Sequence, residues 1–271
     1  MIEIHDLNKR FKKKTALDGV NLKLDTGVCG LLGPNGSGKT TLLRCVTGLL
    51  SPNGGSVRCE GRVGYLPQRF GMQKQLTVYD AMAFFAAIKE IDRRRRRAEI
   101  HSCLERVNLL DRAHDRVGSL SGGMVRRLGI AQALLGEPSI LLFDEPTAGL
   151  DPEERLRFKN LVSQLRRDII TVISTHIVDD VEAVCDQIVI LHQGRVMVQS
   201  SVENIRQNAA GKVYEVRNEE IGALRPPWEL LREEVSENGR CLRILSEDPQ
   251  PGKLVSPTVE DGYMRYIRGE A

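Results

Sequence analysis

Gly33-Pro34-Asn35-Gly36-Ser37-Gly38-Lys39-Thr40 decides how this chain is read. It fills every fixed position of G-x-x-x-x-G-K-[ST]. Glycines lack a Cβ, so such a backbone wraps closely and turns its N–H groups inward. Those groups form a nest for anionic phosphate oxygens. The segment from Lys39 to Leu50 reads as a helix with Leu42, Val46 and Leu49 on one face. Its N-terminus adds partial positive charge at the phosphates. Lys39 is placed to reach the β- and γ-phosphates, and the Thr40 hydroxyl to ligate Mg²⁺. Upstream, Val28-Cys29-Gly30-Leu31-Leu32 is a short apolar run, as a buried parallel strand requires. Strand, loop and helix together predict a nucleotide site.

A second strand ends in acid. Ser139-Ile140-Leu141-Leu142-Phe143-Asp144-Glu145 is an apolar run closed by two carboxylates. Successive strand residues point to opposite sides, so the two acids can take different tasks. Asp144 is the natural Mg²⁺-associated acid of a P-loop ATPase. Glu145 is then free to polarise an attacking water. Taken alone, the segment also fits a strand followed by solvated acids and a turn at Pro146. Between the two pieces lies Leu120-Ser121-Gly122-Gly123-Met124, which by itself fits an ordinary helix N-cap.

In this order the motifs resemble the ATP-binding cassette family, the nucleotide-binding subunits of ABC transporters. Gly33 to Thr40 looks like Walker A, and Gln68 in Tyr65-Leu66-Pro67-Gln68 like the Q-loop glutamine. Leu120 to Met124 looks like the family signature, and Ile140 to Asp144 like Walker B, with Glu145 as the catalytic glutamate. Ala148-Gly149-Leu150-Asp151 looks like the D-loop, and His176 in Ser174-Thr175-His176 like the switch histidine. The resemblance covers roughly residues 1 to 200. It implies ATP and Mg²⁺, with two subunits packed head to tail on two ATPs. Ser121, Gly122 and Gly123 would then face the γ-phosphate across the interface, with Met124 behind them. Lys39 and Thr41 would hold ATP with the rest of the loop, and Gln68 would touch Mg²⁺ or the water. His176 would hold the water with Glu145. Phe11 stands where the family keeps an aromatic that stacks on adenine; a core or strand-end phenylalanine is the other reading. One position departs from the family pattern. The signature usually ends in Gln, and Met124 lacks that amide and its hydrogen bond. Met at this place leans towards bacterial exporter-like members.

Composition limits the alternatives. With 41% hydrophobic and 28% charged residues, the 271-residue chain reads as globular. A net charge of +3 gives no argument for nucleic acid. The six cysteines form no C-x-x-C pair, and several lie in apolar runs, so they read as reduced thiols of a cytosolic protein. The N-terminus resembles neither a signal nor a transit peptide. The longest apolar run, Ala81 to Ile88, falls well short of the ~18 residues of a membrane helix. The membrane-spanning permease of a transporter would therefore be a separate chain. This subunit is expected in the cytoplasm, peripheral on the cytoplasmic face of the inner membrane.

The predicted fold is α/β: a P-loop NTPase core, with a mostly parallel sheet covered by helices. An antiparallel β part, an inserted helical subdomain and a small C-terminal appendage complete it. Residues 1–205 are assigned to the ATPase domain, with helices over about 69–136, and 206–271 to the appendage. Strands are expected at Ile2 to Leu7, Val20 to Leu24, Val57 to Cys59, Val63 to Leu66, Ile169 to Ser174 and Gln187 to Leu191. Val213 to Val216 and Cys241 to Leu245 are further strand candidates. Helices are expected from Thr77 to Ile88, Asp92 to about Leu110, Met124 to Leu135 and Asp151 to about Arg167. Arg93 to Arg97 reads as a solvated helix face, or as a contact for anionic lipid heads. The surface after Gln68, through Phe70, Met72 and Leu76 and into the helix to Ile88, reads either as a groove for a membrane partner or as helical core. The expected function is a transporter ATPase, with a soluble ABC ATPase acting on ribosomes or DNA as the alternative. The expected partners are ATP, a second ATPase subunit (the same chain or a related one) and a permease, with no nucleic acid.

Overall fold

Alternate residues of the central strands feed two different cores, and that alternation builds the fold. The computed structural model describes residues 1–165, 168–236 and 239–268. Two compact units emerge, Met1–Val196 and Met197–Ala271. The chain opens with β1 (Ile2–Phe11), β2 (Lys14–Leu24), β3 (Gly27–Leu32), α1 (Lys39–Val46), β4 (Gly54–Cys59) and β5 (Val63–Leu66). Next come α2 (Val78–Ile88), α3 (Arg93–Arg106), α4 (Gly122–Leu134) and β6 (Ile140–Asp144). Then follow α5 (Pro152–Ser163), β7 (Ile170–Thr175), α6 (Val178–Glu182), β8 (Gln187–His192) and β9 (Arg195–Ser201). The chain closes with α7 (Val202–Gln207), β10 (Val213–Arg217), β11 (Glu229–Ser236), β12 (Gly239–Leu245), β13 (Lys253–Leu254) and α8 (Val259–Arg268).

The central sheet has the order β5-β6-β7-β3-β8-β9. Its β5, β6, β7, β3 and β8 pair in parallel. In β6, Ile140 and Leu142 join one core with Cys29 and Leu31 of β3 and Leu42 and Leu43 of α1. Leu141 and Phe143 join the other, with Ile100, Leu104, Leu128 and Phe158 from the helices. Continuous apolar runs in these strands reflect burial on both faces. An antiparallel sheet of order β2-β1-β4 adds Ile2, Ile4, Leu7 and Leu17 to the first core.

The helical part over 78–134 has its own physical logic. Thr77 caps α2 by accepting from the Asp80 N–H, and Asp92 caps α3 by accepting from Arg94. Lys89 closes the C-terminal end of α4, donating to the carbonyls of Gln132 (2.7 Å), Ala133 (3.3 Å) and Leu135 (3.0 Å). Burial lowers the Lys89 pKa to about 8. Phe70 and Met72 pack on this core, so the core reading holds for them. Phe84 (52% exposed) and Ile88 (61% exposed) instead form an apolar pair one turn apart on α2. Arg95 pairs with Glu99 and Glu137, and Arg96 donates to the Ile91 carbonyl.

Several expected boundaries move. Helix α1 ends at Val46 rather than Leu50, and α3 ends at Arg106 with a separate 3₁₀ turn at Leu110–Arg112. Gly48 at φ +72° and Asn108 at φ +53° mark the exits, since left-handed residues cannot continue a helix. Helix α5 ends at Ser163, short of the expected Arg167, which itself lies outside the described residues. In the second unit, β11-β12-β10-β13 form an antiparallel sheet. Arg243 there donates to Asp261 (2.6 Å) and Glu215 (3.2 Å). Among the described residues no helix is long and apolar enough to cross a membrane.

Candidate functional site: a phosphate loop facing two carboxylates

The Gly33–Thr40 loop leaves β3 and enters α1, as its spacing requires. Gly33 has no room for a side chain: an added Cβ would lie 2.1 Å from the Leu191 carbonyl oxygen. Gly38 combines φ +113° with a Cβ position 2.5 Å from the Ala16 carbonyl. These glycines therefore let the loop lie against β8 and β2 while its open side stays clear. No side chain caps α1, so its first N–H groups remain available to an anion. Among the described residues the buried Ser37 hydroxyl has no hydrogen-bond partner, a second donor that suits a phosphate oxygen.

Lys39 is 5% exposed and lies under the loop. Its Nζ donates to the carbonyls of Gly33 (2.6 Å) and Pro34 (3.2 Å) and sits 3.5 Å from Glu145 Oε1. Burial lowers its pKa, and the charges of Glu145 and Asp144 oppose that shift. Asp144 accepts from Thr40 Oγ1 and Ser174 Oγ, each at 3.1 Å, and from Tyr65 Oη at 3.5 Å. Glu145 Oε2 lies 2.9 Å from His176 Nδ1. The two acids thus take different partners, Asp144 as the last residue of β6 and Glu145 just beyond it. Glu145 also holds φ +51°, a left-handed conformation that costs a non-glycine residue about 1–3 kcal/mol.

Of these groups Lys39, Thr40 and Glu145 line a cavity of about 380 Å³, together with Phe11, Lys14, Asn35, Thr41 and Gln68. Phe11 is 46% exposed there, so it is a rim residue and not a core one, and Lys9 Nζ lies 5.2 Å from its ring centroid. Thr40 and Asp144 supply hard oxygens side by side, the donor type Mg²⁺ takes together with substrate phosphates. Lys14 and Tyr65 escaped sequence reasoning, as did Arg126. That side chain leaves α4 and donates to the carbonyls of Asp144 and Glu145. No motif position signalled them.

The remaining motif residues lie elsewhere. Among the described residues, none of Ser121 to Met124 lines this cavity. Ser121 caps α4 by accepting from the Met124 N–H at 3.2 Å. The Met124 side chain packs on the helical core, a use for a thioether that an amide would not serve. Asp151 caps α5, accepting from the Glu154 N–H at 2.9 Å, with Pro152 at the first helical position.

Comparison with known proteins gives the family. Residues 17–148 match the family model described as ABC transporter. An uncharacterized ABC transporter ATP-binding protein of Bacillus subtilis, YxlF, is 35% identical over 222 residues, covering 79% of this chain and 75% of that protein. The Nod factor export ATP-binding protein I of Ralstonia nicotianae is 33% identical over 266 residues, covering 93% of this chain and 83% of that protein. A dimeric post-hydrolysis structure of the ATP-binding cassette MJ0796, bound to ADP and Pi, superposes with a TM-score of 0.69 at 25% identity. It covers 74% of this chain and 98% of its own. With P-loop, acidic strand end and cassette fold in one place, the chain belongs to the ABC transporter family of ATP-binding proteins and is an ATPase.

Proposed function

We propose that this chain closes as a head-to-tail dimer on two MgATP and drives a separate membrane permease. The observation that carries the reading is that Lys39, Thr40 and Glu145 line one cavity, with Asp144 bonded to Thr40 and His176 to Glu145 behind them, while Ser121 to Met124 do not line it. Signature residues that do not reach their own subunit's phosphate loop suit a second subunit's ATP. Binding energy from the γ-phosphate then favours the closed state alone, as a nucleotide-driven change requires.

Within one site, Phe11 stacks on the base and the loop N–H groups, Ser37 and Lys39 hold the phosphates. Thr40, Asp144 and Gln68 hold Mg²⁺, which neutralises charge on the phosphates when bound. Glu145 takes the water proton, and His176 keeps the carboxylate and the water aligned. The partner subunit adds a Ser121 hydroxyl and the Gly122 and Gly123 N–H groups at the γ-phosphate. Catalysis is positioning and charge stabilisation throughout.

The exposed Phe84–Ile88 pair supports docking of a permease segment on α2. Met124 and the relatives named for Nod factor export support an exporter. The subunit then works in the cytoplasm, peripheral on the inner membrane. A tagged Glu145→Gln protein with MgATP, recovered from detergent-solubilised native membranes, tests this. Stoichiometric capture of a polytopic membrane protein is expected. Capture of ribosomes or DNA-repair proteins with no membrane subunit would move the work to the cytosol.

A further inference from the structure

The Arg126 side chain uses every donor it has. It is 8% exposed and leaves α4 two residues after Met124. Its Nε donates to the Pro146 carbonyl at 3.1 Å. Nη1 donates to Pro67 (2.8 Å) and Gln68 (3.1 Å), and Nη2 to Asp144 (2.6 Å) and Glu145 (2.7 Å). A guanidinium carries one N–H on Nε and two on each Nη, so each finds its own carbonyl. None of those acceptors is a carboxylate. Burial lowers the Arg126 pKa to about 10 against the pull of Asp144 and Glu145. Burying a cation among neutral carbonyls is expensive, and packing alone would be served by an apolar side chain.

The five carbonyls belong to two segments. One is the end of β6 through Pro146, which carries Asp144 and Glu145. The other is the loop after β5, which carries Gln68. Both segments face the nucleotide cavity. Glu145 holds its left-handed φ of +51° with its own carbonyl in the grip of Arg126. A conformation of that kind persists only where its surroundings over-determine it. The same arginine stands on the helix whose first turn is Gly122, Gly123 and Met124.

We propose that Arg126 is a positioning residue that ties the signature helix to Glu145 and to the Gln68 loop of the same subunit. It touches no reacting atom. It sets the backbone from which the general base and the glutamine project, so that any shift of α4 moves both together. A lysine cannot replace it, because three donors on one nitrogen do not span two segments. The inference rests on the site reading above and extends it.

The test compares wild-type protein with Arg126→Lys and Arg126→Gln. Three quantities are read: thermal unfolding, binding of a non-hydrolysable fluorescent ATP analogue, and ATPase kinetics across an MgATP titration. Arg126→Lys keeps the charge and the alkyl stem, so a folded variant is available if Arg126→Gln does not fold. The expected result is a KM and analogue affinity within about threefold of wild type, with kcat lower by about 10²-fold, the cost of an ångström-scale misplacement. A folded Arg126→Lys protein with wild-type kcat would overturn the inference alone, as would a loss confined to KM. A wild-type protein without ATPase activity would overturn the site reading itself.

Discussion

Helices α1 and α4 both have glycine at their N-terminal ends, and they are finished in opposite ways. Helix α1 starts after Gly38 with no side-chain cap. Its first two residues, Lys39 and Thr40, meet Glu145 and Asp144 directly. Helix α4 starts after Ser121, whose hydroxyl caps it. Its first residues, Gly122 and Gly123, line no part of the cavity that α1 opens into. One N-terminus opens into the cavity of its own chain; the other is capped by Ser121 only at the Met124 N–H and is exposed at Ser121 and Gly122. A chain built this way carries half of a site at each of two places. Under the proposed dimer, a second subunit's α4 completes the phosphate site.

The largest expected effect breaks the α1 side. Glu145→Gln keeps the hydrogen-bonding shape and removes the base, so hydrolysis falls by about 10²- to 10⁴-fold while ATP binding persists. A phosphate-release assay beside an ATP-binding measurement checks both halves of that statement. Lys39→Ala removes the buried cation at the loop, and kcat falls by about 10²- to 10³-fold. ATP binding weakens as well, which separates it from Glu145→Gln. Ser121→Ala probes the α4 side. Loss of the cap costs about 1 kcal/mol of stability, read by denaturant unfolding. ATP affinity of the single chain stays unchanged while turnover at high protein concentration drops. The smallest effect on the folded chain comes from Ile88→Ser on the exposed face of α2. Stability changes by no more than about 0.5 kcal/mol. Basal hydrolysis is untouched, and reconstituted transport falls, which a vesicle uptake assay reads.

How much of this was legible follows from what kind of signal each residue carries. The phosphate loop was legible because its spacing is set by bond geometry within one turn. Strand β6 was legible because burial on both faces leaves an unbroken apolar run ending at Asp144. The hairpin β1–β2 is longer than Ile2 to Leu7 and Val20 to Leu24 suggested. Charges such as the half-buried Lys9 and the exposed Arg10 hide strand patterning where backbone pairing continues. Strand β11, Glu229–Ser236, is rich in glutamate and carries no strand signature, yet pairing with β12 holds it extended. Helix α8 hides behind Gly262, which is there because a Cβ would lie 1.9 Å from the Ile205 carbonyl. Arg126 was illegible for a deeper reason. Its partners are backbone carbonyls, whose positions depend on the folded path and not on residue type.

The most direct test of the two-helix comparison is the mass of Glu145→Gln protein in solution, by light scattering, with MgATP and then with MgADP. The account predicts a dimer with MgATP and a monomer with MgADP, and a monomer in both when Ser121→Arg is added. A monomer under saturating MgATP, or a dimer indifferent to Ser121→Arg, would contradict it.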